Sequence, residues 1–110
     1  MEQIVLCGAN TYEQKFYFNP KFSALPKTIQ DELKITCAIF TSQISSILTL
    51  EFDEEGNLQF VVRPNDDFAF DEIGSALKIK ELQQEKRALW EELELYYKVF
   101  FLGQKLSDEK

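Results

Sequence analysis

Hydrophobic and polar residues alternate in two short stretches near the middle of the chain. In 47–52 and 58–63, apolar side chains recur at every second position, the period of a β-strand with one buried face. The residues expected on that face are Leu48, Leu50, Phe52, Leu58, Phe60 and Val62. Between the stretches, Gly56 is placed to adopt the left-handed conformation that a tight turn requires. The pattern predicts an antiparallel hairpin over about 47–63.

Before this hairpin, the spacing of apolar residues changes to three and four. After Pro26, which suits the first turn of a helix, residues recur at this spacing: Ile29, Leu33, Cys37, Phe40 and Ile44. The spacing predicts a helix over about 26–43. Because Ile35, Ala38 and Ile39 widen its apolar face beyond one stripe, we expect the helix to be largely buried.

After the hairpin, a helical pattern continues from about 71 to 102. Its apolar positions follow alternating steps of three and four: Ile79, Leu82, Leu89, Leu93, Tyr96 and Phe100. Lys86 occupies the one polar position of this series. A helix of this length would measure roughly 45 Å and would overhang a domain of this size. We therefore expect an overhang unless the helix breaks near Gly74-Ser75.

The first part of the chain contains a short strand-like stretch, 3–7, followed by an ambiguous one, 10–18. Asn10 and Glu13 have the spacing of a helix capping box, but Lys15-Phe16-Tyr17-Phe18 has the aromatic content of a strand. The capping pattern favours a short helix here. Together the patterns predict an α+β fold with an antiparallel sheet packed against the helix at 26–43 and the long C-terminal helix. We expect one domain over 1–105 and a frayed tail at 106–110.

The end of the last predicted helix is the most informative part of the sequence. From 93 to 102 only Glu94 and Lys98 are charged, and their spacing predicts one narrow exposed strip. The other side chains cover nearly the whole circumference and must be hidden from water. They either pack on the hairpin and the first helix, or they form a surface for self-association or another partner. The residues expected to build that surface are Trp90, Tyr97 and Phe101.

Composition excludes several function classes. The 110 residues contain 19 acidic and 12 basic side chains, for a net charge of −7, which disfavours binding to nucleic acid or an anionic membrane. No apolar segment approaches the length of a membrane span. We therefore expect a cytoplasmic protein whose partner is a second copy of itself or another protein.

The chain also lacks the usual chemistry of an enzyme. It contains no histidine, no phosphate-binding glycine loop and no motif for a cofactor. Cys7 and Cys37 lack the C-x-x-C spacing and are expected to be small buried hydrophobes in a reducing compartment, with a disulfide or redox pair as the alternative. We expect no catalytic residues and no cofactor.

An acidic cluster precedes the long helix. Carboxylates there favour the positive end of the helix dipole and cap free N–H groups. The alternative is a small-ligand or divalent-metal site built from Asp67, Asp71 and Glu72.

Four stretches carry a resemblance to a known family: Val5-Leu6-Cys7-Gly8-Ala9-Asn10, the hairpin sequence 47–58, Asp71-Glu72-Ile73-Gly74-Ser75, and Leu95-Tyr96-Tyr97-Lys98. In these the chain resembles small uncharacterised proteins of clostridia-like gut bacteria. The resemblance implies a bacterial, cytoplasmic protein of unknown function and assigns no site residues. From the residues themselves we expect a non-enzymatic interaction domain that forms a homodimer through its aromatic C-terminal helix.

Overall fold

Strands and helices follow one another along the part of the chain that the computed structural model describes, residues 4–64 and 72–103. The strands are β1 (Ile4–Asn10), β2 (Lys15–Phe18), β3 (Ile47–Phe52) and β4 (Leu58–Arg63). The α-helices are α1 (Lys27–Gln43), α2 (Glu72–Glu85) and α3 (Arg87–Phe100), and a short 3-10 helix spans Pro20–Phe22. This arrangement confirms the predicted α+β class. The predicted tail at 106–110 lies outside the described residues.

The strands form one antiparallel sheet in the order β2-β1-β3-β4. In the central hairpin, the residues predicted to share one face pair across the strands, with Leu50 opposite Phe60 and Phe52 opposite Leu58. At its tip Gly56 has a φ of 91°, so the left-handed residue is the one that the sequence indicates. The hairpin prediction is confirmed. It could be made from sequence because the strands and the turn are both encoded locally.

The prediction of a short helix over 10–18 is wrong. Asn10 Oδ1 accepts hydrogen bonds from the main-chain N–H groups of Tyr12 (2.9 Å) and Glu13 (3.2 Å), as a helix N-cap would. The chain then turns back instead of continuing, and β2 pairs with β1, which itself extends beyond the predicted 3–7. An Asn side chain satisfies the same N–H groups at a helix cap and in a turn, so the pattern does not separate the two.

The single C-terminal helix is also corrected, because two helices take its place. The interruption is at Lys86 (φ −114°, ψ 30°), not near Gly74-Ser75. The Lys86 Nζ atom lies 2.9 Å from the Glu32 carboxylate of α1. The polar residue in the apolar series therefore lies at the break between α2 and α3 and pairs with a residue of another element.

The most deeply buried residues of the sheet lie on the face that α1 and α3 cover. Leu48, Leu50 and Phe52 of β3 are at most 1% exposed, beneath α1 and α3. The expectation that α1 is largely buried is wrong for one side of it, since Ile35 and Ile39 are 58% and 52% exposed. The stripe that contains Leu33, Cys37 and Phe40 enters the core. Within the described residues, no helix has the length and apolar character of a membrane span.

Candidate functional site

The inward side of α3 is an aromatic stack that joins the helix to the sheet. Tyr97 is 3% exposed and lies nearly parallel to Phe52 of β3, with ring centroids 4.3 Å apart. Phe22, from the 3-10 helix, is fully buried and stacks on Phe101 at 4.7 Å. Offset stacking of this kind adds to the free energy of burying the rings. Tyr97 is therefore a core residue, and Phe101 is half-buried at the edge of the stack.

Trp90 lies one turn after the break between α2 and α3. It is 6% exposed, and its ring meets Phe60 of β4 edge-on at 5.0 Å. Its indole N–H donates to the main-chain oxygen of Leu82 at 3.1 Å, so the polar atom of the ring is satisfied. Of the three residues expected on an interaction surface, Trp90 and Tyr97 are thus buried in the core of this chain.

Burial also affects the titration of the Tyr97 phenol. Loss of contact with water raises the pKa of Tyr97 above 10.0, and the nearby Asp53 carboxylate adds to the increase. Both effects keep the phenol neutral. We therefore assign Tyr97 no role in proton transfer at neutral pH.

The two charged residues of the last turns do not form the predicted exposed strip. Glu94 accepts a hydrogen bond from the Leu58 main-chain N–H at 2.8 Å, at the start of β4. Lys98 crosses the hairpin tip so closely that a methyl group added at Gly56 would lie 2.7 Å from Lys98 Cγ. Both side chains are therefore directed toward the hairpin. The surface that these turns leave exposed is therefore less polar than predicted.

With Glu94 and Lys98 turned to the hairpin, the outward side of the last two turns is apolar. Leu95 is 51%, Phe100 71% and Leu102 38% exposed. At 3.6 residues per turn, Leu95 and Val99 lie on the side of α3 opposite Tyr97, and Phe100 directly follows Val99. Leu102 lies beyond the end of α3, and its side chain approaches Gly56 at the hairpin tip. We call Leu95, Val99 and Phe100 the outer α3 patch. The sequence-based prediction did not include this patch, although the four-residue spacing of Leu95 and Val99 was a signal.

The predicted metal or ligand cluster is only partly within the described residues. Glu72 is exposed in the first turn of α2, where a carboxylate favours the helix dipole. Asp67 and Asp71 lie outside the described residues. Within 4–64 and 72–103, no group of three His, Cys, Asp or Glu residues has the arrangement of a metal site.

The two cysteines, distant in sequence, meet in the core. Cys7 of β1 and Cys37 of α1 are 0% and 1% exposed, and both are free thiols. A hydrogen bond with the Cys37 thiol, together with burial, raises the pKa of Cys7 well above its usual value. A neutral buried thiol is a poor nucleophile. The pair acts in this arrangement as core packing between helix and sheet.

The fold and the surface together define a small α+β protein: a four-stranded antiparallel sheet covered on one face by helices, with an apolar patch at the end of the last helix. The chain belongs to a family of unknown function, described as "Family of unknown function (DUF6145)", which it matches over residues 3–105. Comparison with curated proteins and with solved structures gave no match.

Proposed function

We propose that this chain is a non-enzymatic protein–protein interaction domain that binds a second copy of itself through the outer α3 patch. The exposure of this patch is the observation that carries the proposal. Leu95 and Phe100 are more than half exposed, while both charged residues of the same turns face the hairpin. An exposed apolar patch of this kind is typical of an interaction surface.

Helix geometry favours a second α3 as the occupant. Leu95 and Val99 form an apolar stripe with a step of four residues, one of the spacings with which one helix packs against another. Phe100, at 71% exposure, directly follows Val99 and provides the largest side chain of the contact. A two-fold axis across the stripe would bring the same residues of both copies together, as in most homodimers.

The setting that we propose is the cytoplasm of a bacterium. Cys7 and Cys37 remain free thiols in the core, which suits a reducing compartment. The absence of histidine supports a role without acid–base catalysis. The net charge of −7 keeps such a domain soluble while a local apolar patch drives association.

The test is the oligomeric state of the wild type and of a Leu95→Lys variant, measured by sedimentation equilibrium over a wide concentration range. The wild type should show a monomer–dimer equilibrium. A lysine in the centre of the interface should raise the dimer dissociation constant about tenfold or more, because a charge there is buried without a partner.

Leu77→Lys is the matched control, since Leu77 is 63% exposed on α2 and lies outside the patch. It makes the same chemical change and should leave the dimer dissociation constant unaltered. A wild type that stays monomeric at every concentration, or equal weakening by both variants, contradicts the proposal. Circular dichroism of both variants checks that the fold is intact.

A further inference from the structure

A second surface feature lies at the other end of the sheet, between edge strand β2 and α1. It is a groove with a volume of about 470 Å³. Its apolar side chains are Ala9, Phe16 and Ala38, and its functional groups include those of Gln14, Lys15 and Lys34. Small-molecule sites commonly combine a volume of this order with an apolar lining and a few polar groups.

Two charged side chains line this groove, and both are lysines. Among the described residues, Lys27, Lys78 and Lys86 each form an ion pair with a carboxylate, whereas Lys21, Lys80 and Lys98 do not. Lys15 and Lys34 also form none in that part of the chain, and no acidic residue lines the groove. In a chain with 19 acidic side chains, two unpaired lysines at one apolar groove make a locally positive site.

The hydroxyl groups in the groove are already engaged as donors. Thr11 donates to the main-chain oxygen of Thr41. Thr41 donates to the Cys37 main-chain oxygen at 3.0 Å, and Ser42 to that of Ile39 at 2.8 Å. The side-chain donors left for a ligand are therefore the two ammonium groups and the amides of Asn10 and Gln14.

Gln14 reaches the groove from a backbone conformation that glutamine rarely adopts. Its φ is 53°, the left-handed region, where residues other than glycine carry a cost. Gln14 is the one non-glycine residue with positive φ among those that the structure describes. Such outliers are found more often at binding sites than elsewhere.

We propose that this groove binds a small organic carboxylate, an anion with an apolar body. Lys15 and Lys34 would receive the carboxylate, since ammonium–carboxylate hydrogen bonds are among the strong ones. Phe16, half-buried in the groove wall, and Ala38 would contact the apolar body. This site is separate from the outer α3 patch and does not depend on dimer formation.

The probe is 3-phenylpropionate, and its neutral match is 3-phenylpropanol. Titration of the ¹⁵N-labelled full-length protein by NMR should give saturable shifts of the main-chain amides of Phe16 and Ala38 with the acid. The alcohol should bind at least about tenfold more weakly, because it lacks the charge that the two lysines receive. Equal affinity for the two compounds, or no saturable shift with the acid, would overturn the proposal.

A pair of double variants identifies the residues responsible. Lys15→Gln with Lys34→Gln should weaken 3-phenylpropionate about tenfold or more. Lys21→Gln with Lys80→Gln removes the same charge at two exposed lysines outside the groove and should change affinity by less than about twofold. Equal weakening by both double variants would show only a general charge effect and would contradict the site. The Leu95→Lys variant should bind the probe as the wild type does, which separates failure of this site from failure of the dimer.

Discussion

The two tight turns of the sheet, 11–14 and 53–57, use the same hydrogen-bonding device and differ in the residue at the left-handed position. In each, a side-chain oxygen at the start of the turn accepts from two main-chain N–H groups: Asn10 Oδ1 in the first and Asp53 Oδ1 in the second. The left-handed residue is Gln14 in the first turn and Gly56 in the second.

The surroundings of the two turns account for this difference. The second turn is covered by α3, and Lys98 and Leu102 lie so close to Gly56 that a β-carbon there has no space. The first turn is at an open edge of the sheet, beside the β2–α1 groove. Gly56 is thus required by packing, whereas Gln14 occupies a position where glycine would fit the backbone better. Gln14 lines the groove, and the ligand site proposed there would give its side chain a role at this position.

The largest expected effect follows from filling the space at Gly56. A Gly56→Ala substitution should destabilise the protein by about 2 kcal/mol, since alanine is strained at positive φ and its methyl would also press on Lys98. Chemical denaturation, with the free energy of unfolding extrapolated to water, measures this loss.

Gly103→Ala is the matched control for this change. Gly103 also has a positive φ, of 74°, but a β-carbon there meets nothing within 4 Å. The control should therefore show only the backbone cost, about 1 kcal/mol. If the two variants lose the same free energy, the close approach of α3 to the hairpin does not contribute.

A smaller effect of opposite sign is expected in the first turn. Gln14→Gly should stabilise the protein by about 0.5 kcal/mol, because the gain from removing left-handed strain exceeds the greater entropy that glycine gives the unfolded chain. The same variant should bind 3-phenylpropionate more weakly than the wild type. Thermal unfolding and the NMR titration measure the two effects separately. A destabilised variant would contradict the strain that we assign to Gln14. Unchanged binding would contradict a role for its side chain in the groove.

The comparison also shows what could be predicted from sequence. The β3–β4 hairpin was predictable because its alternation, its turn and its glycine are all local. The β1–β2 turn was not, because Asn10 makes the hydrogen bonds of a helix cap and only the pairing of β1 with β2 and β3 decides the outcome. The break at Lys86 was not predicted either, and the residue that pairs with Lys86, Glu32, is 54 residues away in sequence.

The outer α3 patch was likewise predictable from sequence only in part. That the last turns of α3 are almost wholly apolar was evident from the sequence. The position of the hairpin decides which side chains of α3 face the core. Glu94 and Lys98 are directed toward the hairpin, and Leu95 and Phe100 are exposed. The groove at Lys34 was not predictable, because its members come from β1, β2 and α1 and share no motif.

The smallest effect concerns the residue whose side chain accepts at the start of each turn, which is titratable in the second turn (Asp53) and neutral in the first (Asn10). Hydrogen bonds from the main-chain N–H groups of Asn57 and Glu55 lower the pKa of Asp53 below 3.8. A lowered carboxyl pKa in the folded state contributes stability above about pH 3.8, and that contribution is lost as the pH falls through the folded pKa. Asp53→Asn converts the second turn to the neutral chemistry of the first.

The Asp53→Asn variant should be less stable than the wild type at pH 7, since an amide oxygen accepts more weakly than a carboxylate. The difference should shrink as the pH falls below 3.8, where Asp53 of the wild type takes up its proton. Because the other acidic residues are common to both proteins, the difference in free energy of unfolding across a pH series isolates Asp53. A second readout is the pH titration of the Tyr97 ring signals by NMR, whose raised pKa should move back toward 10.0 when the Asp53 charge is removed, while burial keeps part of the increase. A difference in stability that is independent of pH, with an unchanged tyrosine titration, would mean that the turn uses the shape of Asp53 and not its charge.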